Sequence, residues 1–369
     1  MSLKLFAFSA YIGTTLLACG GDGGTAVEID AAVTHDGPTC GADVEAAIVA
    51  KLTAGLAKPD VAASQDVTVL LETRAGRRVT FSHGASSATT RYESASTSKL
   101  VTAAVIVDLI DQGKLTLDTK ASDLIDFWTD DAVTLKQLLA FTSGYYDEPL
   151  CINGPAFGFE ACVEKIFTSN EPTHATPGSL FYYSGTHMQV AGLMAMKATG
   201  ATSWSDIFEA WKARTSLFPT AIYDLPSATN PRLAGGMHWT GEEYLAFLRA
   251  LDHGTILSDA GRTALFANAR GAATVGASPV MEQISEDWAY GLGNWLECPT
   301  ATQAGSYNCG EGHRNSSAGA YGAYPFIDFD HDYFGIVAQQ GPQGTGFKGV
   351  LLLREAQAEI ETWAALDCD

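Results

Sequence analysis

Positive charge is what this sequence holds least of. Its 22 Lys and Arg face 42 Asp and Glu, a formal net charge of −20 over 369 residues. A chain without a surplus of cations cannot neutralise a run of phosphates. That argues against nucleic acid as a partner and weakens electrostatic docking on anionic lipid. Metal signatures are missing too. The 8 His residues show no ligand spacing, His-Glu-x-x-His does not occur, and no Cys pair has zinc spacing, so neither metal nor cofactor is expected. Asp328-x-Asp330-x-Asp332 has the opening of a calcium loop, but Tyr333 stands where that loop needs Gly and Gln339 where it needs Glu. A solvated hairpin turn is the better account. Gly-x-Ser-x-Gly is absent, which removes the nucleophile elbow of α/β-hydrolases. No internal repeat is visible.

What is present begins with apolar residues, 46% of the chain, enough for a sizeable core and against disorder. The first residues, Met1-Ser2-Leu3-Lys4, lead into an apolar stretch ending Leu16-Leu17-Ala18-Cys19-Gly20. It is short for a membrane span and has the layout of a signal peptide over residues 1–19. Leu16 to Cys19 looks like a bacterial lipobox, so Cys19 is the expected lipidation site. The expected location is the periplasm or outer membrane, with plain secretion as the alternative. Residues 20–39 are rich in Gly, Asp, Ala and Thr and read as a flexible tether. Of 7 Cys, setting Cys19 aside leaves an even number, suited to an oxidising compartment. Cys151 with Cys162 and Cys298 with Cys309 are near neighbours, which leaves Cys40 with Cys368. Sequence alone leaves fifteen connectivities open.

In chain order, a helix is expected over 43–56, a hairpin over 66–72 and 78–83, and a helix over 100–110 stopped by Gly113. Residues 114–280 read as mainly helical, with helices at 133–139, 188–199, 204–214 and 240–251. Thr240 and Glu243 form a capping-box pattern at the last of these. Strands are expected at 290–296, 321–329, 333–339 and 349–353, then a terminal helix over 355–366. Strands at both ends with helices between predict an α/β chain of α+β type: one antiparallel sheet flanked by helices, with a mainly helical domain inserted. The sheet domain would comprise 40–113 plus 281–369 and the helical domain 114–280, with a site at their junction.

Three pieces carry chemistry. Ser96-Thr97-Ser98-Lys99 lies at a helix entrance, and a spacing of three puts both side chains on one face. A buried lysine at the positive end of a helix loses its proton readily and can take one from the serine hydroxyl. Alone, the pair reads sooner as an N-cap serine beside an exposed lysine. Tyr183, in Phe181-Tyr182-Tyr183-Ser184-Gly185, would become more acidic beside a cation and could relay protons. Ser316-Ser317-Ala318-Gly319-Ala320 brings small residues to a strand end, where substrate can approach the backbone. The N–H groups of Ser96 and Ala320 could then receive an oxyanion. Tyr145, Tyr146, Trp239 and Trp295 are candidate pocket aromatics, with core packing an equal reading.

Ser96-x-x-Lys99, Tyr183-Ser184-Gly185 and Ser317-Ala318-Gly319, in that order, resemble the class C β-lactamase-like serine hydrolases, which include penicillin-binding peptidases and related esterases. Leu138-Leu139-Ala140-Phe141-Thr142-Ser143-Gly144 looks like the family's Leu-Leu-x-His-Thr-Ser-Gly, with Phe141 in place of His. Ala234-Gly235-Gly236 and Tyr290-Gly291-Leu292-Gly293 fit as well, so the resemblance spans roughly 60–355. It implies a β-lactamase/transpeptidase-like fold, Ser96 as nucleophile, Lys99 and Tyr183 sharing the base, and an oxyanion hole at Ser96 and Ala320, with Ser317, Gly319, Gly185 and Tyr145 near the substrate. Two departures matter. Gly185 stands where the family's Asn binds a substrate amide, and Ser317 stands where a cation would meet a substrate carboxylate. Both point toward a carboxylic ester or uncharged amide as a small-molecule substrate, and so toward a carboxylesterase, although Arg314 or His313 could supply the cation; a monomer is expected. A peptidoglycan-directed D,D-peptidase, D-aminopeptidase or β-lactamase stays open, as does a non-catalytic penicillin-binding-type sensor.

Overall fold

The computed structural model describes residues 40–298 and 314–368. The expectations for residues 1–39, Cys19 included, and for Cys309 and His313 lie outside the described residues. A helix, α1 (Ala42–Leu56), precedes the antiparallel hairpin of β1 (Val67–Thr73) and β2 (Arg78–His83), and β3 (Arg91–Glu93) leads into α2 (Ser98–Asp111). Next come α3 (Leu135–Leu139), α4 (Phe159–Asn170), β4 (Leu180–Tyr182), α5 (Thr186–Thr199) and α6 (Trp204–Thr215). Then follow β5 (Ile222–Tyr223), β6 (Met237–Thr240), α7 (Gly241–Asp252), α8 (Asp259–Phe266), β7 (Thr274–Ala277) and α9 (Pro279–Ile284). The last part holds β8 (Ala289–Tyr290), β9 (Trp295–Leu296), β10 (Arg314–Ser316), β11 (Tyr324–Asp328), β12 (Tyr333–Gln339), α10 (Lys348–Arg354) and α11 (Gln357–Ala364).

The main sheet has seven strands in the order β2-β1-β12-β11-β10-β9-β8, paired antiparallel throughout. Strands from the two ends of the chain thus lie side by side, where β1 pairs with β12 from Val67 opposite Gln339 to Thr73 opposite Tyr333. Every residue of β1, β11 and β12 is buried, so both faces are covered. α7 closes on Leu70 and Ala338 through Gly241, and α10 lies over Tyr324 through Gly349. Ala338 and the partner of Tyr324, Val337, are successive residues on one strand and point to opposite faces. The Thr240–Glu243 capping box is formed, and Glu243 also accepts from the Thr220 backbone.

The antiparallel sheet with its helices agrees with the expected fold class. Some elements differ. Residues 349–353 form a helix, because a short apolar run shows no period that separates strand from buried helix. The expected strand 290–296 is a hairpin, β8–β9, turning at Gly291 to Asn294. The stretch 114–280 also carries short strands that no alternating run announced: β5 and β6 pair with each other and β6 with β3, while β4 runs parallel to β7. Asp328 to Tyr333 is a hairpin turn, as expected. Disulfides join Cys40 to Cys368 and Cys151 to Cys162, and Cys298 is disulfide-bonded.

Candidate active site

Helix α2 is apolar on all sides, and every residue from Ser98 to Leu109 is buried, so it runs through the core rather than along it. A single 3-10 turn, Ala95–Thr97, precedes it and carries Ser96. Neighbours pin this turn in place. Trp239 Nε1 donates to Thr97 Oγ1 at 2.9 Å, and Tyr244 Oη donates to the Thr97 carbonyl at 2.8 Å. Ala95 sits at φ 44°, a left-handed conformation for a residue with a Cβ. Such backbone costs on the order of 1–3 kcal/mol and persists only where the surroundings enforce it.

Lys99 Nζ donates to Ser96 Oγ at 2.8 Å and to the Ala234 carbonyl at 2.9 Å. Burial pushes this amine down to about 7, helped by the Arg232 guanidinium and opposed by the Glu148 carboxylate. The ammonium also lies 4.6 Å from the centre of the Tyr183 ring. Tyr183 packs against Phe141, Tyr290 and Trp295 and keeps an edge open to the pocket. Its phenol is raised by burial, which outweighs the lowering effect of Ser96 and Trp295. The expectation of a more acidic Tyr183 is therefore reversed: the lysine is near neutrality, and the buried phenol keeps its proton.

The segment after β10 runs beside the Ser96 turn. Ser317 Oγ donates to the Ser96 carbonyl at 2.9 Å, so this hydroxyl holds the turn rather than facing substrate. A Cβ at Gly319 would come within 2.7 Å of the Ser94 carbonyl, a contact only glycine permits. Ala320 lines the pocket on both sides of Ser96. Among the described residues, no backbone acceptor takes the N–H of Ser96 or of Ala320. Two free donors next to a hydroxyl in contact with an amine are what an oxyanion requires.

Two lobes open from Ser96 and Tyr183. One is lined by Lys99, Glu148, Ser184, Gly185, Arg232 and Gly235. The other is lined by Ala277, Pro279, Glu282, Gln283, Gly319 and Phe347. Gly185 is therefore at the pocket as expected, whereas Tyr145 is not. The Tyr145 side chain is buried, stacks on His174 and donates to Asp130 Oδ2 at 3.0 Å, because Trp128 and Phe167 enclose it. Trp239 is also core, and Trp295 backs the Tyr183 ring. Arg314 is buried against Asp328 and Tyr333 and supplies no cation to the pocket. Arg232 and Glu148 in loops and Glu282 on α9 went unread, being isolated charged residues that carry no pattern in the sequence. His187 was also unread. It is buried behind Phe141, held at about 4 by desolvation, and placed between Ser143 Oγ and the Tyr182 carbonyl.

Chemically, the arrangement presents a hydroxyl in contact with a near-neutral amine, a protonated phenol and two open N–H donors. The family model described as Beta-lactamase matches residues 56–359. Protein flp of Staphylococcus aureus (strain NCTC 8325 / PS 47) is 29% identical over 139 residues, 34% of this chain and 26% of that protein, so the match spans about a quarter of its length. Among solved structures, a Bacteroides dorei DSM 17855 protein provisionally assigned as a β-lactamase superposes with a TM-score of 0.70 at 24% identity, over 89% of this chain and 100% of that one. EstCE1, a hydrolase with promiscuous acyltransferase activity, superposes with a TM-score of 0.68 at 16% identity, over 85% and 99%. With the model match covering most of its length, the chain belongs to the β-lactamase family of serine hydrolases.

Proposed function

We propose that the protein hydrolyses carboxylic esters through an acyl-enzyme on Ser96. The observation that carries this reading is the 2.8 Å contact between Lys99 Nζ and Ser96 Oγ, with the amine held near 7 by burial. Ser96 Oγ attacks the ester carbonyl while its proton passes to Lys99. The N–H groups of Ser96 and Ala320 receive the oxyanion. Tyr183, kept protonated by its surroundings, relays the proton to the departing alkoxide. Water then attacks the acyl carbon, with Lys99 again accepting the proton, and Ser96 is released.

Esters are favoured over carboxylate-bearing lactams and peptides by the charges around the second lobe. Ser317 is turned inward and the exposed carboxylate there is Glu282. A substrate carboxylate placed beside Glu282 would be repelled. The leader expected over residues 1–19, with Cys19 as a lipid anchor, belongs to the same proposal, and disulfides within the folded part support an oxidising compartment.

A fluorophosphonate probe should label the wild type at Ser96 and leave Ser96→Ala unlabelled. The wild type should turn over a p-nitrophenyl ester and spare nitrocefin. Equal labelling of both proteins, or of neither, overturns the catalytic reading and favours a non-catalytic sensor. Turnover of nitrocefin instead favours a β-lactamase.

A further inference from the structure

Position 185 has no side chain, yet the space is not empty. A Cβ built on Gly185 would lie 3.0 Å from Glu148 Oε1. The same oxygen accepts from the Gly185 N–H, and from Ser184 Oγ at 3.3 Å. The backbone therefore aims a carboxylate into the lobe that holds Ser96 and Lys99. Among the described residues, the other oxygen, Oε2, has no hydrogen-bond donor and no cation lies within 4 Å of the carboxylate, although Glu148 is exposed at the mouth. A carboxylate only accepts hydrogen bonds, so the group that satisfies it must donate. The remaining charges facing this lobe are Lys99, near neutrality, and Arg232, whose Nη1 donates to Asn153 Oδ1 at 2.6 Å. Glu282 adds a second carboxylate in the neighbouring lobe.

From this placement we infer that the pocket selects esters carrying a protonated amine, with Glu148 as the specificity-determining residue that receives the ammonium. The inference rests on the acyl-enzyme reading of Ser96. A charge-assisted hydrogen bond made by the substrate and lost in its neutral analogue gives about tenfold or more in kcat/KM.

The test uses matched pairs. On the acyl side, alanine methyl ester is compared with N-acetylalanine and N-succinylalanine methyl esters. On the alcohol side, 2-(dimethylamino)ethyl acetate is compared with 3,3-dimethylbutyl acetate. The expected result is a preference for the ammonium member of one pair by about tenfold, which Glu148→Gln reduces to near unity; Gln keeps an oxygen for the Gly185 N–H. Equal rates in both pairs, a faster succinyl ester, no turnover of either ammonium ester, or a preference unchanged in Glu148→Gln would each overturn it. Fluorophosphonate labelling of the same samples separates the causes. A labelled Ser96 with flat preferences sinks the inference alone, whereas an unlabelled Ser96 sinks the underlying reading as well.

Discussion

At the residue scale, the site depends on how readily Lys99 gives up its proton. With its amine at about 7, kcat/KM should rise with pH through that value as the base loses its proton. A flat profile from pH 5.5 to 8.5 would remove Lys99 from the base role. The same shift has a cost for folding. Between about 7 and the ordinary lysine value of 10.5 the unfolded chain binds a proton that the folded chain does not, so stability rises with pH across that window. The penalty is complete below about 7 and gone above 10.5. Lys99→Met should therefore be inactive yet melt higher than the wild type, by several degrees at pH 6 and by much less near pH 10. A variant that melts lower at pH 6 would show that the amine contributes more through its bonds to Ser96 and Ala234 than its burial costs. Residues of this kind divide sharply in legibility. Ser96, Lys99 and Tyr183 could be read because fixed spacings tie them to helix entrances. Glu148 and Arg232 could not, because only the folded loops bring them to the same lobe.

At the element scale, the β8–β9 turn reaches the back of α2. Gly293 has φ +74°, and a Cβ there would meet the Ala103 side chain and the Lys99 carbonyl, each at 2.7 Å. Both the backbone conformation and the close approach call for glycine. Gly293→Ala should therefore push α2 and lower kcat, by about tenfold or more, while KM changes little, since Lys99 would be displaced from Ser96 Oγ. Thermal melting of the variant should fall by the few degrees expected of a strained core substitution. Unchanged kcat would mean that the turn does not position Lys99. In the sequence Gly291 and Gly293 lie inside an expected strand, 290–296, and within the family-like Tyr290-Gly291-Leu292-Gly293, neither of which announces a turn. The long elements were legible: α1, β1, β2 and α7 carry apolar periods, α2 and β12 carry apolar runs bounded by turn signals, and the α7 cap announces itself through Thr240 and Glu243. Short elements were not. α10 read as a strand because Val350 to Leu353 are all apolar, and β4 to β7 are too brief to show alternation. Tyr145 and Ser317 were read as pocket residues because a motif gives neighbourhood in the chain without the direction of a side chain.

For the whole molecule, the pairing of strands from both ends of the chain within one sheet bears on stability. β1 and β12 are neighbours in one sheet, second and third from its β2 edge, and the Cys40–Cys368 disulfide closes a loop of 328 residues outside it. A loop of that length restrains the unfolded chain strongly, so Cys40→Ser with Cys368→Ser should cost about 2–5 kcal/mol and lower the melting temperature. Ester turnover at 25 °C should stay within twofold, because neither cysteine lines the pocket. A melting temperature identical to the wild type would show that the sheet pairing alone restrains the ends.

That cross-link also turns the polypeptide between Cys40 and Cys368 into a closed ring. A protease cutting once between Cys40 and Cys368 opens the ring without releasing a fragment. On a non-reducing gel such a clipped molecule keeps its full mass, and only a thiol separates the halves.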